Sequence, residues 1–249
     1  PVVLNGSLKI EETRAVQGIS AKLNTIAKIR GEYVVASKYD FWFLNADLSP
    51  KFHAAMDPWF SANVLDLVGI TALGKDAYVL MGSNKSLLRV RQNPEADDVQ
   101  GWPNFTAGRS HIEAVGGLGR ARIDTERAKF SYIHSSATDG RYVFMATVPD
   151  NKNKKQFVIS KALMKDWMLS GEFVPTAEML KKDRSLGELY VTGMVYEDGK
   201  LYAVSKNWNV LVVIDVAQEA VVEAWGLPEE LTDIRGLVKD GSTFEVIDA

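Results

Sequence analysis

Apolar and polar residues along this chain form a sequence pattern that recurs. An apolar run leads to a glycine turn, an aromatic residue opens a second apolar run, and a third run follows a short polar break. Clear copies span residues 26–38 and 194–206. Glycine supplies the positive φ of a tight turn, and aromatic and β-branched residues favour strands. The pattern therefore predicts repeated antiparallel hairpins.

The spacing of these turns predicts the architecture. Successive turn glycines are 43, 66, 59 and 42 residues apart, and each precedes an aromatic residue by two to four positions: Gly31 and Tyr33, Gly74 and Tyr78, Gly140 and Tyr142, Gly199 and Tyr202, Gly241 and Phe244. A four-stranded propeller blade takes about 40 to 45 residues. We expect one all-β domain over residues 1–249, a five-bladed β-propeller with four-stranded blades and an insertion around residues 93–129.

The two ends of the chain suggest how the ring closes. The fifth repeat stops at Ala249, soon after its second apolar run at 244–247. Residues 1–16 contain the apolar run Val2-Val3-Leu4 and the alternating Leu8 and Ile10. We expect them to supply the missing strands, because pairing both ends in one blade removes exposed sheet edges. A β-sandwich with hairpins at similar spacing is the alternative architecture.

In its repeats the chain resembles bacterial β-propellers built from YVTN-type or NHL-type repeats, over most of its length. The resemblance implies a rigid ring that binds ligands or proteins at its axial mouth. It also implies a place outside the cytoplasm, because many bacterial members act there. The chain begins at Pro1 without a recognisable leader. We therefore expect a processed or truncated protein that is periplasmic or extracellular. An anchor in a segment upstream of Pro1 is compatible with this location.

Composition narrows the classes of partner. Apolar residues make up 46% of the chain and charged residues 24%, which is ordinary for a globular protein. The net charge of -3 offers no general attraction to nucleic acid or to anionic membranes. No apolar stretch reaches the roughly 18 residues of a membrane span. We expect no nucleic acid partner, no membrane span in this segment and a chain that is monomeric by itself.

Motifs for cofactors, metals and nucleophiles are weak. Gly117-Leu118-Gly119 lacks the third glycine of a dinucleotide loop, and no Gly-x-Ser-x-Gly sequence occurs. The chain has no cysteine, and its three histidines do not have the spacing of a helical metal pair. We expect no metal and no organic cofactor. A carbohydrate hydrolase or lyase stays the alternative function, because Asp66 and Asp233 stand at strand starts and could meet over the axis.

Two groups of residues are candidates for binding. Polar residues near the starts of the predicted innermost strands form a possible ligand or partner site at the axial mouth: Asn24, Asp66, His134, Thr192 and Arg235. The opposing interpretation is that Asp66 and Arg235 only pair with neighbouring backbone and close the channel. The predicted insertion offers aromatic anchors and donors for a protein partner: Trp102, Phe105, Arg109 and His111. Together they predict a noncatalytic protein-binding scaffold or sensor module, with a small polar ligand as a further possibility.

Overall fold

A computed structural model describes residues 4–38, 40–55, 66–73, 77–83, 87–92, 110–116, 132–148, 156–164, 169–176, 189–205 and 207–249. These residues form strands and turns, and they contain no helix. The strands are β1 (Gly6–Ser7), β2 (Thr25–Ile29), β3 (Glu32–Ala36), β4 (Asp40–Leu44), β5 (Pro50–Ala55), β6 (Leu67–Leu73), β7 (Ala77–Gly82), β8 (Leu87–Gln92), β9 (Ser110–Gly116), β10 (Ile133–Thr138), β11 (Tyr142–Thr147), β12 (Ile159–Leu163), β13 (Leu169–Phe173), β14 (Val191–Glu197), β15 (Lys200–Ser205), β16 (Val210–Asp215), β17 (Ala220–Gly226), β18 (Ile234–Asp240) and β19 (Thr243–Asp248).

The strands pair in chain order into antiparallel sheets. The first sheet is β2 to β5, the second β6 to β9, the third β10 to β13 and the fourth β14 to β17, while β18 and β19 form a fifth sheet of two strands among the described residues. The recurring sequence pattern thus corresponds to the first three strands of a sheet, as predicted. Gly31, Gly140, Gly199 and Gly241 all adopt positive φ in the turn between the first and second strands.

The first strands of the sheets stand side by side around a common axis. β2 lies against β6, β6 against β10, β10 against β14, β14 against β18, and β18 returns to β2. Apolar side chains fill the spaces between sheets; one cluster joins Phe144 of the third sheet to Leu201 and Val212 of the fourth. A closed ring of antiparallel sheets is the arrangement of a β-propeller.

The predicted closure by the N-terminus is wrong in its pairing. β1 runs parallel to β17, at the outer edge of the fourth sheet, and does not join β19. Asn5 donates its backbone N–H to Ala224 O at 2.7 Å, and the Asn5 Oδ1 accepts from Ala224 N at 2.9 Å. Gly6 permits this approach, because a Cβ there would lie 2.7 Å from the ring of Trp225.

The N-terminal segment still covers the fifth sheet, but it does so with side chains. Val16 and Ile19 pack, together with Ile247 of β19, against the buried cluster that contains Val238 of β18. Arg14 binds Glu245 of β19 at 3.2 Å. Alternation of apolar residues at the N-terminus suggested a strand, yet Ile10 is 44% exposed and forms no ladder.

Part of the predicted insertion belongs to the regular fold. Residues 110–116 form β9, which pairs with β8 and completes the second sheet with four strands. The excursion is therefore shorter than the range 93–129 suggested, and the rest of that range lies outside the described residues. In the described part of the chain, no helix is long and apolar enough to cross a membrane.

Candidate functional site

The starts of the first strands meet at one end of the ring, which we call the axial rim. It comprises the residue directly before each first strand and the polar residues just after it: Asn24, Asp66, Tyr132, His134, Tyr190, Thr192, Asp233 and Arg235. Neighbouring starts are joined by hydrogen bonds. Asn24 Nδ2 donates to Leu67 O at 3.3 Å, and Thr192 Oγ1 donates to Ile234 O at 2.6 Å.

β-Bulges or irregularities mark four of these starts. The pairing register shifts between Leu67 and Gly69, between Ile133 and Ser135, between Val191 and Gly193, and between Arg235 and Val238. His134 and Thr192 are thus the extra residues of two bulges. Bulges redirect side chains and are common at the rims of closed sheets and beside functional sites.

Arg235 and Asp233 form the most buried ion pair of the rim. Arg235 Nε donates to Asp233 Oδ1 at 2.9 Å, and the two side chains are 14% and 17% exposed. Lys22 Nζ binds the other carboxylate oxygen at 2.7 Å. Asp233 therefore links the segment before β2 to the start of β18.

Aromatic residues of the third and fourth sheets also lie at the rim. The ring of Tyr190 packs on that of His134, with centroids 4.5 Å apart, and so joins the third and fourth sheets. Burial raises the pKa of the Tyr190 hydroxyl, while the positive charge of Arg235 acts in the opposite direction. Tyr132, directly before β10, is 52% exposed. An exposed tyrosine with an apolar ring and a hydroxyl suits a binding contact.

The first and second sheets contribute charges to the other side of the rim. Lys38 Nζ lies 3.6 Å from Asp66 Oδ1, and both side chains are about half exposed. The backbone also connects these sheets, because Leu67 N donates to Lys38 O at 2.9 Å. Asp66 thus keeps its carboxylate at the surface, where a partner can reach it.

The structure separates the predicted axial residues into two roles. Asp66, His134 and Arg235 lie at the rim with at least part of their surface exposed, whereas Thr192 is 1% exposed and uses its hydroxyl to join two sheets. Asn24 also serves a junction between sheets. Thr192 therefore serves to join two sheets. The printed partners of Asp66 and Arg235 are the side chains of Lys38 and Asp233, and their role in binding stays a prediction.

Sequence reasoning missed Tyr132 and Tyr190. Both directly precede a first strand, the place that Asp66 and Asp233 take in other sheets. This shared position could have identified the two tyrosines as rim residues. They were missed because only strongly polar and charged residues were considered there.

Below the rim the axis is narrow. A Cβ on Gly193 would lie 2.7 Å from Gly236 O, and one on Gly236 would lie 2.7 Å from Ile26 N. Cα atoms of β6 and β14, which are not neighbours in the ring, approach within 8 Å of each other. Backbones this close leave no room for a ligand between them at this level of the axis.

The second predicted site cannot be placed. Trp102, Phe105 and Arg109 lie outside the described residues, and His111 is in β9, opposite Arg91. Their role in partner binding stays a prediction. Within the part of the chain that is described, no three His, Asp or Glu side chains cluster in a way that could hold a metal ion.

Comparison with known proteins gives the fold and no family. No protein-family model matches the sequence, and no curated protein matches it. The glutaminyl cyclase of Myxococcus xanthus is similar in structure over 92% of both chains, with a TM-score of 0.54 and 10% sequence identity.

Two further solved structures overlap less well. The β-propeller domain of Cps50 (Swd1) from Myceliophteria thermophila has a TM-score of 0.47 and 8% identity over 92% of this chain, which spans 63% of that one. Apo AztD from Citrobacter koseri has a TM-score of 0.43 and 11% identity, over 91% of this chain and 66% of that one. At 10% identity, the likeness to the cyclase shows a shared fold, and the chemistry of this chain has to be argued from its own residues.

Proposed function

We propose that the chain is a five-bladed β-propeller that binds a protein partner at its axial rim and acts, outside the cytoplasm, as a noncatalytic scaffold or sensor module. The five sheets are its blades, and the N-terminal segment covers the two-stranded fifth blade. The extracytoplasmic location follows from the resemblance to YVTN-type and NHL-type propellers.

One observation carries the proposal: the rim presents a largely exposed tyrosine and charged side chains above an axis that the backbone closes. Tyr132 is 52% exposed, and Asp66 and Lys38 stand beside each other at the surface. Aromatic anchors surrounded by polar groups are typical of protein interfaces. Because the axis below is narrow, the site is shallow, which favours a protein surface over a deeply enclosed small molecule.

The hydrolase alternative gains no support from the two candidate carboxylates. Asp66 lies beside Lys38, and Asp233 is held by Lys22 and Arg235. Hydrolysis of a glycosidic bond needs two carboxyl groups that face one substrate, one of them protonated. Carboxylates engaged by neighbouring cations are arranged to stabilise the rim.

Site-directed photo-crosslinking in the native host tests the proposal. A photoreactive phenylalanine analogue replaces Tyr132 in one variant and Gln218 in a matched control. Gln218 is exposed in the turn between β16 and β17, at the opposite end of the ring. Both side chains are surface groups, so neither replacement disturbs the core.

We expect position 132 to give a discrete crosslinked protein that position 218 does not give. The captured protein is then purified and its affinity measured, with Tyr132→Ala weakening binding at least tenfold. Equal crosslinking from both positions, or capture that Tyr132→Ala leaves unchanged in affinity, would place the binding surface elsewhere and refute the proposal.

A further inference from the structure

Arg235 has the geometry of a residue that is oriented for a ligand. It is the second residue of β18 and is only 14% exposed. Its Nε donates to Asp233, which leaves the two terminal amino groups. Among the described residues, no hydrogen bond or ion pair uses either of them, and neither is a buried atom that lacks a partner, so both are open to a ligand at the surface.

Asp233 fixes the direction of this side chain. Its second carboxylate oxygen binds Lys22 at 2.7 Å. Its backbone is held at both ends, because its N–H donates to Asp248 Oδ1 at 2.8 Å and its carbonyl accepts from Ala249 N at 2.9 Å. An arginine anchored through Nε presents its remaining donors as a planar fork, which matches the two oxygens of a carboxylate.

Two lysines of the rim also suit an acidic group. Lys38 lies 3.6 Å from Asp66, and Lys22 lies 2.7 Å from Asp233. Their side chains are 58% and 60% exposed, so they can attract an anionic segment to the rim and raise its association rate.

We infer that Arg235 anchors the partner by donating hydrogen bonds from its two terminal amino groups to a carboxylate of that partner, so that the bound segment is acidic. This inference rests on the proposed function, because it names the chemistry recognised at the same rim. A peptide is favoured over nucleic acid, because a single carboxylate can reach Arg235 without placing a continuous line of negative charge beside Asp66 and Asp233. The carboxylate can come from a side chain or from a C-terminus.

Binding of defined peptides tests the inference. Three fluorescein-labelled dodecapeptides differ only at four positions and at the C-terminus. The first has glutamate at the four positions and an amidated C-terminus, and the second has glutamine there and an amidated C-terminus. The third has glutamine at the four positions and a free C-terminal carboxylate. A 12-nucleotide single-stranded DNA is the fourth probe. Fluorescence anisotropy gives the dissociation constants for the wild type, Arg235→Gln, Arg235→Lys and Lys200→Gln. Lys200 begins β15 at the opposite end of the ring and controls for loss of one positive charge.

The wild type should bind the first or the third peptide about tenfold or more tightly than the second, and the preferred one identifies the source of the carboxylate. Arg235→Gln should remove this preference, Arg235→Lys should restore it only in part because the fork is lost, and Lys200→Gln should leave it unchanged. Thermal unfolding of each variant verifies that the fold is intact.

Equal affinity for all three peptides, an unchanged preference in Arg235→Gln, or tighter binding of the DNA would overturn the carboxylate anchor. These outcomes leave the proposed function standing if Tyr132 still crosslinks to a partner. A failure of crosslinking at Tyr132 would instead remove the proposed function itself. The two failures are therefore distinguishable.

Discussion

Replacing Gly193 by alanine tests the close packing of the first strands around the axis. The added Cβ would lie 2.7 Å from Gly236 O and closer still to its carbonyl carbon, whereas ordinary contacts of a Cβ are 3.4–4 Å. β14 and β18 would have to separate by about 1 Å. Overpacking of this kind costs about 1–3 kcal/mol, and weakening of the nearby bond from Thr192 to Ile234 adds about 1 kcal/mol.

Gly199→Ala is the matched control, because its Cβ would meet nothing within 4 Å and the only cost comes from the backbone φ of +80°. That cost is about 1–2 kcal/mol. Urea unfolding followed by tryptophan fluorescence gives the free energy of unfolding of both variants. We expect Gly193→Ala to lose roughly 2 kcal/mol more than Gly199→Ala. An equal or smaller loss would refute the tight ring and reopen the axis to ligands.

Three further changes test other contacts. Burial lowers the pKa of Lys28, but its hydrogen bonds to Asp240 and Glu245 outweigh burial, so the net shift is upward. The protonated Lys28 therefore stabilises the fold fully below about pH 10.4, and this stabilisation is lost as the pH rises further. Lys28→Met should have a lower midpoint of thermal unfolding than the wild type at pH 8, and its midpoint should fall less than that of the wild type above pH 10. Asn5→Ala removes the acceptor at the outer edge of the fourth sheet and should cost about 1 kcal/mol in urea unfolding, with no loss contradicting the β1 pairing. Thr192→Val should cost about 1–3 kcal/mol, whereas Thr192→Ser should retain most of the stability; equal losses would show that the hydroxyl is not what matters.

Local patterns predicted the repeated sheets well. The two clear copies of the pattern, residues 26–38 and 194–206, are observed as the hairpins β2–β3 and β14–β15. These elements follow from hairpin turns and alternating apolar runs, which depend on residues close in the sequence. Such signals do not depend on how the sheets meet.

The closure of the ring depended on distant contacts and was mispredicted. Whether the N-terminus pairs with β19 or with β17 is decided by the small size of Gly6 beside Trp225 and by the side chain of Asn5. Both choices would have covered a sheet edge. Alternating apolar residues alone could not distinguish them.

The axial residues were proposed from their shared place near the starts of the first strands. Asp66, His134 and Arg235 lie at the rim, and their role in binding stays a prediction. Burial of Thr192 and exposure of Tyr132 depend on how the strand starts turn their side chains, which the sequence does not encode locally. The local pattern therefore indicated neither the buried hydroxyl of Thr192 nor the exposed ring of Tyr132.

The affinity of the purified partner for rim variants tests the central claim most directly. Isothermal titration calorimetry compares the wild type, Tyr132→Ala and Gln218→Ala, with thermal unfolding as the check on the fold. The account predicts that Tyr132→Ala weakens the partner's binding at least tenfold, about 1.4 kcal/mol or more, and that Gln218→Ala binds as the wild type does. Unchanged binding by a folded Tyr132→Ala, together with weakened binding by Gln218→Ala, would contradict it and move the partner to the opposite end of the ring.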